Sequence, residues 1–136
     1  MPEDESLSEL FRLVNRRLRN LGRESSQPWD LTPAQSRALG VLLRQGPLRL
    51  SELAERLRIV PRSATEVVDA LEGAGLVQRH PDPQDRRAVL VAPTERGARI
   101  GAAARAAREA EAERFFGVLS PADRADLTRI LKTLGG

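Results

Sequence analysis

Residues 50–97 read LSELAERLRIVPRSATEVVDALEGAGLVQRHPDPQDRRAVLVAPTERG, and this stretch decides the fold. Its opening, SELAERL, spaces Leu53, Ala54 and Leu57 along one side of a short helix. Arg58-Ile59-Val60 makes a tight break, and Pro61 suits the first position of the next helix, where its missing N–H costs nothing. In that helix Ala64, Val67, Val68 and Leu71 fall at i, i+3, i+4 and i+7, one narrow apolar stripe. Gly73 and Gly75 close it. Leu76–His80 and Arg87–Val91 carry strand patterning on either side of a charged tip that Pro81 and Pro83 stiffen and that ends in Arg86-Arg87. A short helix, a tight turn and a second helix form a helix-turn-helix. A hairpin directly after the second helix makes it a winged one.

Working outward, Ser6-x-x-Glu9 is a capping box that starts a first helix, with Leu7, Leu10, Phe11, Val14, Leu18 and Leu21 at helical spacing and Gly22 as its stop. RESSQPWD reads as a linker. Thr32-Pro33-x-Gln35 opens a second helix with Ala38, Leu39, Leu42 and Leu43 on its buried side, ended by Gly46-Pro47. Beyond the hairpin, Thr94 caps a long alanine-rich helix to about Gly117, and Ser120-Pro121-x-Asp123 starts a last one. The expected fold is mainly α with a small antiparallel β wing. Residues 1–28 form an N-terminal dimerisation helix and linker, 29–94 the winged helix-turn-helix, and 95–136 the C-terminal dimerisation helices. The terminal helices cannot all bury their stripes on so small a winged helix, so Phe11, Leu18, Phe115, Phe116, Leu127, Ile130 and Leu131 are expected to face a second copy.

Composition narrows the function classes. The 136 residues suffice for one domain with its own core. The start, MPEDESLSEL, is acidic and unlike a signal peptide, and no apolar run spans a membrane, which predicts a cytoplasmic protein. One histidine, no cysteine and no tyrosine leave no ordinary nucleophile–base pair, metal cluster or thiol sensor, so no enzyme, cofactor or metal is expected. Glu109, Glu111 and Glu113 sit on one segment and look solvated. The net charge of +3 and pI near 10.8 point weakly to nucleic acid. The excess lies in 1–50, with eight arginines against six acids, and in 98–136, with seven bases against five. Residues 51–97 hold seven arginines against eight acids, so placement rather than bulk charge must carry a DNA reading.

The pieces LAERL, VDALEGAGLV, DPQDRRAVLV and TERG, in this order and spacing, resemble the MarR (multiple antibiotic resistance regulator) family of winged-helix transcription factors. That resemblance spans nearly the whole chain. It implies an α-helical homodimer with interlocked terminal helices that binds double-stranded DNA at an inverted-repeat operator. It further implies a repressor released by a small aromatic or phenolic ligand bound between the dimer helices and the winged domain, where Trp29, Phe11 and Arg16 are expected. Val60 stands where the family commonly has a small hydroxyl residue, Glu66 where it has a basic or small polar one, and Pro93 where it has leucine.

On the recognition helix the face opposite the stripe presents Arg62, Glu66, Asp69 and Gly73. Arg62 can fork onto guanine and Glu66 can accept from cytosine N4, while Ser63 and Thr65 can donate to phosphate or a base edge. Against this stands a plain exposed i, i+4 ion pair between Arg62 and Glu66. In the wing, Asp85 is expected to brace an arginine. The resemblance makes Arg87 the residue that enters the minor groove, with Arg86 on a phosphate; the alternative is a solvated turn. Arg49 and Ser51, at the start of the third helix, are candidate phosphate anchors. A winged-helix protein-interaction module without specific DNA binding is the competing function.

Overall fold

Four hydroxyl side chains start four of the helices. The computed structural model describes residues 5–136, for residues 25–27 the backbone only. Ser6 and Glu9 close a reciprocal capping box, with Ser6 N–H donating to Glu9 Oε2 at 3.1 Å and Glu9 N–H to Ser6 Oγ at 3.2 Å. Helix α1 follows, Leu7–Ser26. Thr32 and Gln35 repeat the device ahead of α2, Pro33–Gln45. Thr94 Oγ1 accepts Gly97 N–H before α5, Glu95–Phe116, and Ser120 Oγ accepts Asp123 N–H before α6, Pro121–Gly135.

Between them lie β1 (Leu48–Arg49), α3 (Leu50–Leu57), α4 (Pro61–Gly73), β2 (Val77–Pro81) and β3 (Val89–Pro93). The strands form one antiparallel sheet in the order β1-β3-β2, with Leu48 opposite Val91 and Val77 through Pro81 opposite Pro93 through Val89. The fold is therefore the expected one: mainly helical with a small antiparallel wing.

The core gathers the apolar stripes. Leu39 and Leu42 of α2, Leu53 and Leu57 of α3, Val68 and Leu71 of α4, and Val77 and Val91 of the sheet are all buried. Val67 is half-buried against them, and Trp29 packs on the same cluster. Nearly every member falls within residues 31–92, with Ala104 of α5 the exception. Arg37 Nη2 donates to the Leu57 carbonyl at 2.9 Å, satisfying one orphan acceptor at the end of α3.

Four features differ from expectation. Helix α1 does not stop at Gly22 but runs to Ser26 and passes into a single 3-10 turn, Gln27–Trp29. Packing along α5 outweighs the weak helical preference of one glycine. The end is set instead by Pro28, which has no N–H to continue the α-helical ladder. On α2, Leu43 is partly exposed and Val41 is buried in its place. Strand β1 was not anticipated; two residues are too short to carry a period. The second wing strand begins at Val89 rather than Arg87, because Asp85 holds the preceding residues in a turn. There Ala88 N–H donates to the Asp85 carbonyl and Arg87 N–H to the Asp85 carboxylate, both at 3.0 Å.

Two glycines close the junction between α4, the wing and α5. Gly75 takes φ +75°, and Leu76 N–H reaches back to the Leu71 carbonyl at 2.9 Å, a left-handed helix ending. Thr94 N–H then donates to the Leu76 carbonyl at 3.0 Å, and Thr94 Oγ1 donates to the Gly75 carbonyl at 2.7 Å. This draws the first turn of α5 onto the backbone at Leu76. A Cβ at Gly97 would overlap the Leu76 carbonyl oxygen.

Candidate nucleic-acid interface

Helix α4 begins at Pro61 with Val60 as its flanking residue, whose side chain makes no capping bond. Arg62 follows on the first turn with its side chain 89% exposed. Its Nε lies 4.0 Å from Glu66 Oε1, the outer limit of an ion pair, so the guanidinium keeps free donors. Ser63 and Thr65 are half-buried on the flanks of the turn. Thr65 Oγ1 already donates to the Pro61 carbonyl at 3.1 Å, so its hydroxyl has only acceptor capacity left, contrary to the donor role expected of it. The helix thus offers Arg62 and Glu66 freely, Ser63 partly, and Thr65 as an acceptor.

The wing tip is folded on itself around Asp82, which is almost fully buried. Asp82 N–H donates to the Ala88 carbonyl at 3.0 Å, closing the loop. Its carboxylate accepts Gln84 N–H through Oδ1 at 2.9 Å. Through Oδ2 it accepts Arg49 Nε and Nη2 at 3.1 and 2.9 Å. The Gln84 N–H and then the Arg49 guanidinium hold the Asp82 carboxyl below the usual carboxylate range, against its burial. The Arg49 guanidinium is raised in turn, chiefly by its bond to Asp82.

Arg49, a candidate phosphate anchor, therefore has Nε and Nη2 engaged by Asp82 while its side chain stays 42% exposed. It is the strut that ties the start of α3 to the wing. Asp85, expected to brace an arginine by its side chain, instead accepts the Arg87 backbone N–H, and its nearest guanidinium is that of Arg49 at 4.0 Å. A short acidic side chain two residues before an N–H closes that local turn more readily than it reaches a long neighbouring side chain. Sequence reasoning missed Asp82 as the brace; Asp-Pro after a strand signals a turn but not its long-range partner.

Arg86 and Arg87 are exposed beyond this brace, and no ion pair or hydrogen bond holds either guanidinium among the described residues. Ser51 is exposed in the first turn of α3 and lines an open groove of about 670 Å³ with Arg49, Asp82, Pro83 and Leu90. A second missed contact joins the wing to α4: Arg79 on β2 bonds both Asp69 and Glu72. The crevice expected near Trp29, Phe11 and Arg16 lies between the dimer helices and the winged domain and involves a second copy. Trp29 sits on the core, whereas Phe11 lies exposed near the start of α1, about 20 Å along the helix from its end.

Helix, tight turn, exposed second helix and braced hairpin define a winged helix-turn-helix protein. Residues 31–89 match the model of the MarR family. The chain is 41% identical over 103 residues to an uncharacterised helix-turn-helix-type transcriptional regulator, Mb0904, of Mycobacterium bovis, covering 75% of this chain and 71% of the relative. It is 34% identical over 92 residues to the transcriptional repressor MdtR of Bacillus subtilis, covering 68% and 57% respectively. Its fold matches a mutant MarR from E. coli complexed with operator DNA at a TM-score of 0.79 and 29% identity, over 94% of this chain and 92% of that one. The chain belongs to the MarR family of transcriptional regulators and is not an enzyme.

Proposed function

We propose that this regulator binds an inverted-repeat operator as a homodimer and acts as a repressor. Residues 29–94 do the reading, and 1–28 with 95–136 join the two copies. The observation that carries this is the pair of uncommitted arginine sites: Arg62 on the first turn of the recognition helix, and Arg86-Arg87 beyond a tip already braced by Asp82 and Arg49. A stiff tip loses little freedom on binding, which leaves more of its contact energy for affinity. Arg62 forks onto guanine in the major groove, with Glu66 accepting from cytosine N4 and Ser63 at a phosphate. Arg87 enters the minor groove, where narrow A·T-rich DNA concentrates negative potential, and Arg86 takes a phosphate. Ser51, through its free helix-terminal N–H, anchors another.

Support for dimerisation comes from α6, which buries no residue in the single chain, and from Phe11, Ile130 and Leu131, which stay exposed. Two-fold symmetry then places half-sites about one helical turn apart. Release by a small aromatic or phenolic ligand, and a cytoplasmic site of action, extend this reading on the family resemblance alone. Among the described residues no helix is long and apolar enough to cross a membrane.

The test is retention of fragments of the protein's own genome, followed by titration of the enriched duplex at several salt concentrations. Affinity should fall steeply with salt. Arg87→Ala should weaken operator binding by about 1–3 kcal/mol in a folded dimer, and Arg62→Ala should relax preference at one base pair per half-site. Retention of no fragment by the wild type sinks the reading.

A further inference from the structure

Arg79 spends its whole fork on the recognition helix. Nη2 donates to Asp69 Oδ1 at 2.6 Å, Nη1 to Glu72 Oε1 at 2.7 Å, and the Arg79 backbone N–H to Glu72 Oε2 at 3.2 Å. Asp69 and Glu72 stand one helical turn apart, so the guanidinium spans them as a bridge. Its side chain is 29% exposed, more enclosed than either partner. These are the only ion pairs between α4 and the sheet among the described residues. The other end of the wing is tied to α3 by Arg49 and Asp82. The wing is therefore fastened at its base to α4 and at its tip to α3.

Partly exposed ion pairs add little to stability, and Leu71 and Val77, both buried in the common core, already anchor the two elements. What a bidentate bridge adds is direction, because the planar fork fixes the angle of the strand relative to the helix. We propose that Arg79 is a positioning residue that locks the wing against the recognition helix, so that Arg62 and Arg87 meet the major and minor grooves as one rigid unit. This rests on the DNA reading above.

The test is operator affinity by fluorescence anisotropy over a salt series, for Arg79→Ala, Arg79→Lys and the double variant Asp69→Asn/Glu72→Gln, each with and without Arg87→Ala. Arg79→Ala should weaken operator binding roughly tenfold, leaving binding to an unrelated duplex unchanged. The slope of log affinity against log salt should stay the same, since Arg79 touches no phosphate. Asp69→Asn/Glu72→Gln should also weaken binding, although it removes two negative charges beside DNA. The cost of Arg87→Ala should shrink in both backgrounds, and Arg79→Lys, reaching one carboxylate at a time, should fall between.

A salt slope reduced by about one unit would make Arg79 a phosphate ligand and overturn the proposal. Tighter binding by Asp69→Asn/Glu72→Gln would show that Arg79 merely neutralises acids, and overturn it equally. So would a cost of Arg87→Ala that is the same in every background, which leaves the DNA reading standing. No operator binding by the wild type overturns both. Should Arg79→Ala not fold, Arg79→Lys and the double variant decide by the same criteria.

Discussion

Gly97 shows how tightly a single position is constrained. The first turn of α5 lies against the Leu76 carbonyl, and any Cβ there would collide with backbone that Thr94 N–H already engages. Backbone cannot yield as a side-chain end can, so Gly97→Ala should destabilise the fold by about 1–3 kcal/mol. A thermal melt several degrees below wild type would bear this out; an unchanged melt would mean the junction relaxes freely. Val60 is the converse case. It precedes α4 with its side chain 62% exposed and makes no cap bond, where a hydroxyl would accept a first-turn N–H. Val60→Ser should stabilise the protein by about 1 kcal/mol, read from the urea midpoint, because little burial is lost and a cap is gained. A lower midpoint would show that Val60 contributes packing the exposure conceals. Both residues were visible in the sequence, Val60 as a missing cap and Gly97 within TERG, but the reason for Gly97 lies 21 positions away at Leu76.

At the scale of elements, the wing owes its shape to contacts that cross between segments. Its strands were legible from alternation, yet their register and the turn at 85–88 were not, because Asp85 turns inward to backbone rather than outward to a guanidinium. Asp82 governs the tip. Its carboxyl is held low in the folded chain, so its contribution is fully present above the ordinary aspartate range and is lost as pH falls through the lowered folded value. Wild type should therefore keep a constant stability advantage over Asp82→Asn between about pH 5 and 8, and that gap should close below roughly pH 4. Urea midpoints of the two proteins across this range check it. A gap that grows on acidification would mean the carboxylate is not what Arg49 binds.

For the whole molecule, the two ends of the chain are unfinished in one copy. Leu7 and Phe11 on α1, and Ile130, Leu131 and Leu134 on α6, remain exposed, while Phe115 and Phe116 stack edge to face at 5.1 Å. Apolar surface of this extent on terminal helices is what a second copy would cover. Leu131→Glu should convert a dimer into a species of 15.0 kDa on size exclusion with light scattering, with operator affinity lost alongside. A wild type that already elutes at that mass would sink the dimer.

The sequence by itself determined the helix starts, through Ser6, Thr32, Thr94 and Ser120, and the apolar stripes that place α2, α3 and α4 around one core. Those signals are local: a cap lies within three residues, and a stripe repeats every turn. It also located the exposed arginines Arg62, Arg86 and Arg87. Only the tertiary structure decided which of the other charges are spent. Arg49 and Asp82 are 33 residues apart, and Arg79 and Asp69 are 10 apart on different elements. No periodicity relates such pairs; they meet because the sheet carries the wing back across both helices of the helix-turn-helix. Tertiary packing thus divides arginines of one chemical kind into struts and free hands.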